Sequence, residues 1–381
     1  MPDLSVSKEN NLKFLFVETY CIGSHALFVR GLAEHSSHII DVLEMPGENY
    51  RWRMLGAALY VTEQIFSLPS PLSSPFFSYD GVIVTDLFNL ADFRAIIGPK
   101  CPPVMAYFHE NQLTYPKPGK DRSAFMLGMI NITSALVADQ VVFNSNTHRE
   151  AFLTAVPEFL NRGKDFRPEG VVGKIRNKSF VLHPGITLPR SEDVDAQRQT
   201  SPPLILWNHR WGFDKNHRLF FSVLEELSER GLDFQVALLG ENFGKIPEEF
   251  IRAREILKDR IVAFGYVASR EDYIKWLKRG TVVVSTAIQE NFGMSVVEAV
   301  IMGCFPLLPN RLSYPEILPK EFHTHCLYKN RNDLLEKLAR IIGDVQGIAR
   351  IQTGLSEKMQ SFLWENVVSD FDTALEHLVQ A

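Results

Sequence analysis

The chain has 381 residues, of which 45% are hydrophobic and 22% charged, and its formal net charge is −5. This length predicts two domains, because a single core rarely grows beyond about 250–300 residues. The mild charge excludes a chain-wide basic footprint, so a nucleic-acid or anionic membrane partner would need a local basic patch. The four scattered cysteines form neither a C-x-x-C motif nor a Cys/His pair at metal spacing, which favours a reduced protein without a structural metal.

The ends of the chain carry no membrane or export signal that we recognise. Residues 1–11 are polar and lack the apolar region of a signal peptide. No apolar run approaches eighteen residues, so no transmembrane helix is expected. We therefore expect a cytoplasmic protein.

A first series of alternating strands and helices occupies the amino-terminal half. Strands are predicted at 13–19, 38–44, 81–86, 103–108 and 140–145, with helices near 25–35, 51–66, 89–97, 122–138 and 146–156. Short apolar strands that alternate with helices predict a parallel sheet covered on both faces.

A second series follows segment 188–203, which lacks apolar periodicity and is interpreted as an interdomain linker. Its strands are predicted at 204–210, 234–240, 260–265, 281–286 and 304–309, its helices include 217–230, 270–279 and 293–302, and the tail 346–379 is a long helix or helix pair. The fold class is α/β: two Rossmann-like, doubly wound domains that face each other across a cleft. We place the domains at 1–187 and 204–360, with 361–381 returning to the first domain.

The strongest candidate site is ENFGMSVVE (290–298), which follows a predicted strand. Gly293 allows close backbone approach and begins a helix, whose first amides (those of Met294, Ser295 and Val296) form an anion site. Glu290 and Glu298 lie on either side of this helix end, so one carboxylate can bind sugar hydroxyls while the other binds a ribose diol. A surface glutamate beside a helix-packing one is the alternative.

Two cations in HRWGFDK, Arg210 and Lys215, follow another strand of the same domain. An arginine fork and a lysine point charge can together clamp a diphosphate. Such a clamp stabilises a departing nucleotide without a metal. A pair of solvated surface charges remains the alternative. Tyr266 and Val267, just after a further strand, are candidates for the wall of a base pocket.

In the first domain, polar residues follow two strands. Gly23 and Ser24 stand between the first strand and its helix, where they could cap a phosphate, although G-x-G-x-x-G is absent. His109, in the tract HENQ (109–112), could orient a sugar or stabilise positive charge near its anomeric carbon. A lone histidine is more often structural, but four polar residues at a strand end favour function.

These motifs resemble those of the retaining, GT-B-fold glycosyltransferases of family 4. More narrowly, YFHENQLTYP (107–116), WNHRWGFDKN (207–216) and the run 290–319 are similar to the tRNA-queuosine mannosyltransferase family, whose vertebrate members were called glycosyltransferase-like domain-containing proteins. The likeness spans nearly the whole chain. Two departures are Ile22, where the family tends to have glycine, and the lack of a long interdomain insertion.

The resemblance implies a reaction and a set of residues. The donor would be GDP-mannose, and the acceptor the cyclopentene diol of queuosine in the anticodon of tRNA(Asp), with retention of configuration and no required cofactor or metal. His109, Glu290, Arg210 and Lys215 would be catalytic. Donor contacts would come from these, from Gly23 and Glu298, and from the amides of Phe292, Gly293, Met294 and Ser295. From their positions alone, Ser24, Tyr266, Val267 and Asn291 are further donor-binding candidates.

The acceptor residues follow less directly from the sequence. They are expected among His25, Glu110, Asn111, Gln112, Arg162, Lys164 and Arg176. The last three belong to a local basic stretch that is equally consistent with a solvated loop. Two other functions remain open: a family 4 transferase with a lipid or glycan acceptor, and a nucleotide-sugar-binding protein without catalysis.

Overall fold

The structure is a computed structural model that describes residues 11–380, apart from 68–71, 117–123, 164, 166 and 243. The chain divides into two compact units, Met1–Gly185 with Trp364–Ala381, and Ile186–Leu363. Segment 188–203 belongs to the second unit, where the Arg198 guanidinium donates to the carbonyls of Gly280 and Met302. Over the described ranges, no helix is both long enough and apolar enough to cross a membrane.

The first unit is built on a parallel sheet. Its strands are β1 (Lys13–Cys21), β2 (Ile39–Pro46), β3 (Gly81–Thr85), β4 (Val104–Phe108), β5 (Gln140–Phe143) and β6 (Ser179–Val181). Their order in the sheet is β2-β1-β3-β4-β5-β6. The helices are α1 (Gly23–His35), α2 (Tyr50–Phe66), α3 (Leu90–Ile97), α4 (Ala124–Val137), α5 (Asn146–Leu160) and α6 (Val171–Arg176). Strands β3 and β4 are buried throughout, as expected of strands with helices on both faces.

The second unit repeats this plan. Its strands are β7 (Leu204–Trp207), β8 (Gln235–Leu239), β9 (Ile261–Gly265), β10 (Val282–Val284), β11 (Phe305–Pro309) and β12 (Leu327–Tyr328), in the parallel order β12-β11-β10-β7-β8-β9. Its helices are α7 (His217–Glu229), α8 (Glu248–Leu257), α9 (Arg270–Arg279), α10 (Met294–Ile301), α11 (Tyr314–Ile317), α12 (His323–Cys326), α13 (Arg331–Gly343) and α14 (Ala349–Met359). The α/β prediction with two parallel sheets is confirmed.

The chain ends in helix α15 (Trp364–Gln380), which packs in the first unit. Trp364 is buried there against two glycines: a Cβ on Gly31 or Gly185 would lie 2.0 or 2.1 Å from the indole. Phe371 and Leu378 of the same helix join the core formed with Phe28. The predicted tail is therefore a helix pair, α14 and α15, whose members belong to different units.

Each sheet has one place where the order of strands changes direction. In the second unit the chain runs outward from β7 through β8 and β9 on one side, and from β10 through β11 and β12 on the other. In the first unit the reversal lies between β1 and β3. Open parallel sheets bind ligands beyond the carboxyl ends of the strands at such reversals. These two edges are therefore where functional side chains are expected.

Candidate functional site

The loops after β7 and β10 form one rim, because these two strands are neighbours in the second sheet. The Thr286 hydroxyl donates to the carbonyl of Lys215 at 2.8 Å, and the amide of Ile288 donates to the carbonyl of Asp214 at 2.8 Å. Residues 213–215 form a tight 3₁₀ turn that ends at Asn216, whose φ is +51°. The hydrogen bonds fix the direction in which this turn presents its charged side chains.

A chain of ion pairs crosses this rim. Lys215 Nζ lies 2.9 Å from Glu290 Oε2 and 3.6 Å from Asp214 Oδ2, and Arg210 Nη2 lies 2.9 Å from the same Asp214 oxygen. Lys215 is 9% exposed and Asp214 is 1% exposed, so these two are not solvated surface charges, whereas Arg210 is exposed. Arg210, Lys215 and Glu290, predicted from separate motifs, are thus brought together.

Asp214 is a member of this group that the sequence analysis missed. It lies in HRWGFDK, four residues after Arg210, and its carboxylate links the two cations. The i,i+4 spacing of an arginine and an aspartate was the available signal, although such pairs usually mark an exposed helix face. Here the aspartate is buried, so it orients the cations that flank it.

Gly293 is the N-cap of helix α10, and its φ of +97° favours glycine. A Cβ at this position would also lie 3.2 Å from the Tyr314 ring. The Gly293 carbonyl accepts hydrogen bonds from the amides of Val296 and Val297 at 2.9 and 3.0 Å. The Val296 amide is therefore engaged within the helix, and an anion at this end would meet the amides of Met294 and Ser295.

Asn291 and Phe292, two predicted donor-binding residues, also make contacts that hold their own loop in place. The Phe292 side chain lies in the hydrophobic core, and its carbonyl accepts from the Ser313 hydroxyl at 3.1 Å. The Asn291 side chain accepts from the Gln289 amide at 3.0 Å. The first bond ties the loop to the residue before α11, and the second lies within the loop. Because the Phe292 side chain is in the core, any donor contact from this residue would come from its backbone.

Glu298 is buried on α10 and has two partners. Its carboxylate accepts hydrogen bonds from the Arg270 guanidinium and, at 3.2 Å, from the Tyr273 hydroxyl. Burial and the Glu298 charge raise the pKa of Tyr273 well above its usual value, so this phenol stays protonated and donates. Arg270 and Tyr273, which lie in the first turn of α9, are partners of Glu298 that the sequence did not predict.

Two further predicted donor residues lie at the end of the edge strand β9. Gly265 closes the strand with a φ of +119°, and Tyr266 follows with an exposed ring. Val267 is half-buried and packs against the core of the unit. This position, at the carboxyl edge of the same sheet, agrees with a wall for a nucleotide base.

The first unit gathers a different group at its own reversal. Glu18, His25 and His109 are buried, and their potential metal-ligating atoms lie within 4.8 Å of one another. His25 Nδ1 lies 3.2 Å from Glu18 Oε2, and the two imidazole rings have centroids 4.2 Å apart. The Asp86 carboxylate accepts from the His109 amide at 2.8 Å. Glu18, His25 and His109 could hold a metal ion, and together with Asp86 they form a buried polar network.

The two histidines of this network differ in charge. Burial alone lowers the pKa of His25, but the Glu18 carboxylate outweighs it and raises that pKa to about 9. Burial, with the neighbouring His25, holds the pKa of His109 well below its usual range. Burial and the Glu110 charge raise the pKa of Asp86 to about 8. At neutral pH, therefore, His25 is a cation and His109 is neutral.

The residues after His109 mainly build their own loop. Asn111 is buried, and its side-chain oxygen accepts from the amides of Leu113 and Thr114 at 3.0 and 2.9 Å. Gln112 is also buried, and its side-chain amide donates to Glu110 at 3.2 Å. Asn111 and Gln112, expected among acceptor contacts, are held inside the loop. His25 is likewise buried against Glu18.

Gly23 and Ser24 are exposed in the first turn of α1, and Gly23 has a φ of +52°. A side chain on Gly23 would meet open space, so its backbone conformation rather than crowding favours glycine. Ile22, the departure from the family pattern, packs on Gly47, where a Cβ would lie 2.3 Å from the isoleucine side chain. The small residue needed at this contact is supplied by Gly47.

Arg162 and Arg176, the two residues of the predicted basic patch that the structure describes, do not lie at this edge of the sheet. Arg176 precedes the amino end of β6 and pairs with Glu150 through two hydrogen bonds of 2.9 Å. The Arg162 guanidinium lies 4.9 Å from the centroid of the Phe159 ring. Lys164 lies outside the described residues. His109, in contrast, follows the carboxyl end of β4.

Sequence comparisons identify both halves of the chain. Residues 13–186 match the family model "tRNA-queuosine alpha-mannosyltransferase N-terminal", and residues 190–351 match "Glycosyl transferases group 1". A tRNA-queuosine alpha-mannosyltransferase of Drosophila melanogaster is 35% identical over 337 residues, which cover 85% of each chain. This identity and coverage show the family.

Solved structures agree on the fold. A sucrose-phosphate synthase from Thermosynechococcus elongatus superimposes with a TM-score of 0.72 at 13% identity, covering 97% of this chain and 99% of its own. HepE from Anabaena, solved in complex with UDP, gives a TM-score of 0.64 at 14% identity, covering 96% and 100%. The likeness to such low-identity structures concerns the fold alone. The chain is thus a glycosyltransferase with the GT-B fold, and it belongs to the tRNA-queuosine alpha-mannosyltransferase family.

Proposed function

We propose that this protein transfers mannose from GDP-mannose to the cyclopentene diol of queuosine in the anticodon of tRNA(Asp). The observation that carries the donor half is the group Arg210–Asp214–Lys215–Glu290, built by two neighbouring strand ends. The acceptor half is supported by family membership and by the name of the fruit-fly relative. Since a tRNA would be the acceptor, we place the reaction in the cytoplasm.

The proposed donor contacts follow from charge. The diphosphate lies against Lys215 and Arg210 and meets the amides of Met294 and Ser295 at the start of α10. Glu290 accepts hydrogen bonds from mannose hydroxyls, while its ion pair with Lys215 fixes the carboxylate. Glu298 accepts from the ribose diol, because each carboxylate oxygen has a second lone pair beside the one used by Arg270 or Tyr273.

The proposed chemistry needs no metal and no dedicated base. The bond between the mannose anomeric carbon and the β-phosphate oxygen breaks, and an acceptor hydroxyl forms a bond to the same carbon on the same face. The departing phosphate takes the hydroxyl proton, so mannosyl-queuosine and GDP are the products. Lys215 and Arg210 stabilise the negative charge that develops on the diphosphate, and neutral His109 orients the sugar through hydrogen bonding.

A substrate panel tests this proposal. The protein is incubated with GDP-mannose, UDP-glucose or UDP-galactose, each with tRNA that carries or lacks queuosine, and the digested nucleosides are analysed by mass spectrometry. We expect a hexose on queuosine only in the reaction with GDP-mannose and queuosine-containing tRNA. NMR of that nucleoside should show an α linkage. Transfer from a UDP-sugar would contradict the donor, and hexose on queuosine-free tRNA would contradict the acceptor.

A further inference from the structure

Helix α2 begins at the carboxyl edge of the first sheet. Its first residue, Tyr50, packs in a small apolar cluster with Tyr20, which lies near the end of β1, and with Leu87, which follows β3. Trp52 lies in the first turn of this helix and is 66% exposed. Tryptophan is rarely left this exposed without a partner, because its ring is large and apolar. The exposed Trp52 ring is therefore a candidate surface for binding a ligand.

The Trp52 side chain lies along the helix surface. An ideal Cβ on Gly56, one turn further on, would be 3.3 Å from the indole, so the ring passes over the glycine backbone. Because the glycine has no side chain, the ring can rest against the helix there. The exposed part of the ring then offers a flat apolar surface to solvent.

Cations flank this ring. Between Gly47 and Gly56 the chain carries Arg51 and Arg53 against a single acid, Glu48. The Arg51 guanidinium lies 5.7 Å from the centroid of the Tyr50 ring, and Arg53 Nη2 donates to the Pro46 carbonyl at 3.3 Å. Both arginines therefore lie beside the β2–α2 loop, at the same end of the helix as Trp52.

We propose that the Trp52 platform, defined as Arg51, Trp52 and Arg53, binds an unpaired segment of the RNA acceptor. One base stacks on the indole, and the arginines contact the adjoining phosphates. Exposed aromatic rings bordered by cations suit single-stranded RNA, because every base has a face that can stack and every nucleotide brings a phosphate. An apolar protein partner would not use the two arginines. The inference rests on the proposed function, which makes an anticodon loop the acceptor.

The chain offers a matched control for the loss of an exposed aromatic ring. Phe77 is 51% exposed in the turn that precedes β3, at the amino edge of the same sheet. Its ring lies 5.9 Å from that of Phe66, at the far end of α2. Phe77→Ala removes a similar apolar surface from the opposite edge of the sheet. It therefore shows how much tRNA affinity changes when an exposed aromatic ring outside the Trp52 platform is lost.

The test measures the affinity of queuosine-containing tRNA for the full chain, with GDP affinity as the check on the fold. Trp52→Ala should weaken tRNA binding by roughly 5- to 150-fold, the factor for losing one stacked base. Trp52→Phe should restore part of it, and Phe77→Ala should leave it unchanged. GDP affinity should be the same in all three variants. Tryptophan fluorescence should fall on tRNA binding in the wild type, and by less in Trp52→Phe.

The outcomes separate this inference from the function on which it rests. If the wild type and Trp52→Ala bind queuosine-containing tRNA equally well, the Trp52 platform does not bind the RNA, and the proposed function is unaffected. A wild type that binds no tRNA overturns both. If Trp52→Ala changes the molecular mass in solution, the surface joins two copies of this chain, and the RNA inference fails. Equal losses in Trp52→Ala and Phe77→Ala would also overturn it.

Discussion

The carboxyl edges of the two sheets both carry a cluster of charged residues, but the clusters differ in burial. In the first unit, Glu18 and His25 form a buried pair, and the neighbouring His109 is neutral. In the second unit, Lys215 is as buried as these histidines, but its partner Glu290 is only half-buried and Arg210 is exposed. Both edges therefore pair their charges, but only the second leaves part of its ion pairs exposed to a ligand.

This difference suggests a division of work. A neutral, buried imidazole can donate or accept a hydrogen bond but adds no net charge to a ligand. A cation at the edge can attract and stabilise a diphosphate, and Arg210 costs little to keep there because it is only partly desolvated. We infer that the second edge suits a charged ligand such as a diphosphate, whereas the first edge offers hydrogen bonding without net charge at His109.

The largest effect is expected from removing the cation of the second edge. Lys215→Ala leaves Glu290 and the buried Asp214 without their shared partner and removes charge stabilisation from the departing diphosphate. Because one group that stabilises the transition state is lost, we expect kcat/KM for GDP-mannose to fall by about 10²–10³-fold. Lys275→Ala is the control, because this exposed lysine pairs only with its helical neighbours Glu271 and Asp272 in the described structure. Equal values of kcat/KM for Lys215→Ala and Lys275→Ala would show that the donor does not bind at the β7–β10 edge.

A smaller effect concerns the pH dependence of the first edge. The folded pKa of His25, about 9, lies above its ordinary value of 6.5. Its pair with Glu18 therefore stabilises the fold fully below pH 6.5, and this contribution is lost as the pH rises through 9. Wild type should exceed His25→Gln in free energy of unfolding at pH 6, and the difference should shrink by on the order of 3 kcal/mol by pH 9.5.

Urea denaturation at the two pH values measures this difference. Other buried groups, such as His148, also titrate on unfolding, but they occur in both proteins and cancel. His377→Gln, at an exposed position on α15, is the matched control and should show the same difference from wild type at both pH values. A His25 difference that does not change with pH would contradict a charged pair.

The smallest effect is expected for the predicted basic patch. Arg176 already donates to both oxygens of Glu150 and lies near the amino end of β6. Arg176→Ala should therefore change tRNA affinity by less than about twofold, since a phosphate contact would first have to break this pair. Binding titrations at two salt concentrations measure it. A loss that grows at low salt would support the original patch hypothesis.

Sequence patterns predicted the elements better than their arrangement. Apolar runs of four to seven residues located the strands, because strands covered on both faces are continuously hydrophobic. The helix α6 was missed in the polar stretch 160–179, where its buried residues are only Val171 and Ile175. Two apolar residues are too few to establish a helical period. The order of strands, which makes β7 a neighbour of β10, has no local signal at all.

The candidate site shows the same limit. Arg210, Lys215, Gly293 and Glu290 were found because each follows a strand, and strand ends of a parallel sheet share one edge. The Lys215–Glu290 pair depends on two loops that are about 70 residues apart in sequence. Glu18 was missed because it lies near the end of an apolar strand, where a charged residue usually marks the start of an exposed loop. Tertiary packing buries it instead.

Hydrogen exchange tests the central claim, that the β7–β10 edge is the donor site, without any substitution. Amide exchange is followed by mass spectrometry with and without GDP, on peptides that cover residues 208–216 and 287–298. We expect GDP to slow exchange in both peptides, because the diphosphate contacts Lys215 and the first amides of α10. Peptides over the distant helix α13 should exchange at the same rate in both states. If GDP binds but leaves residues 208–216 and 287–298 unprotected, the donor site assigned to this edge is wrong.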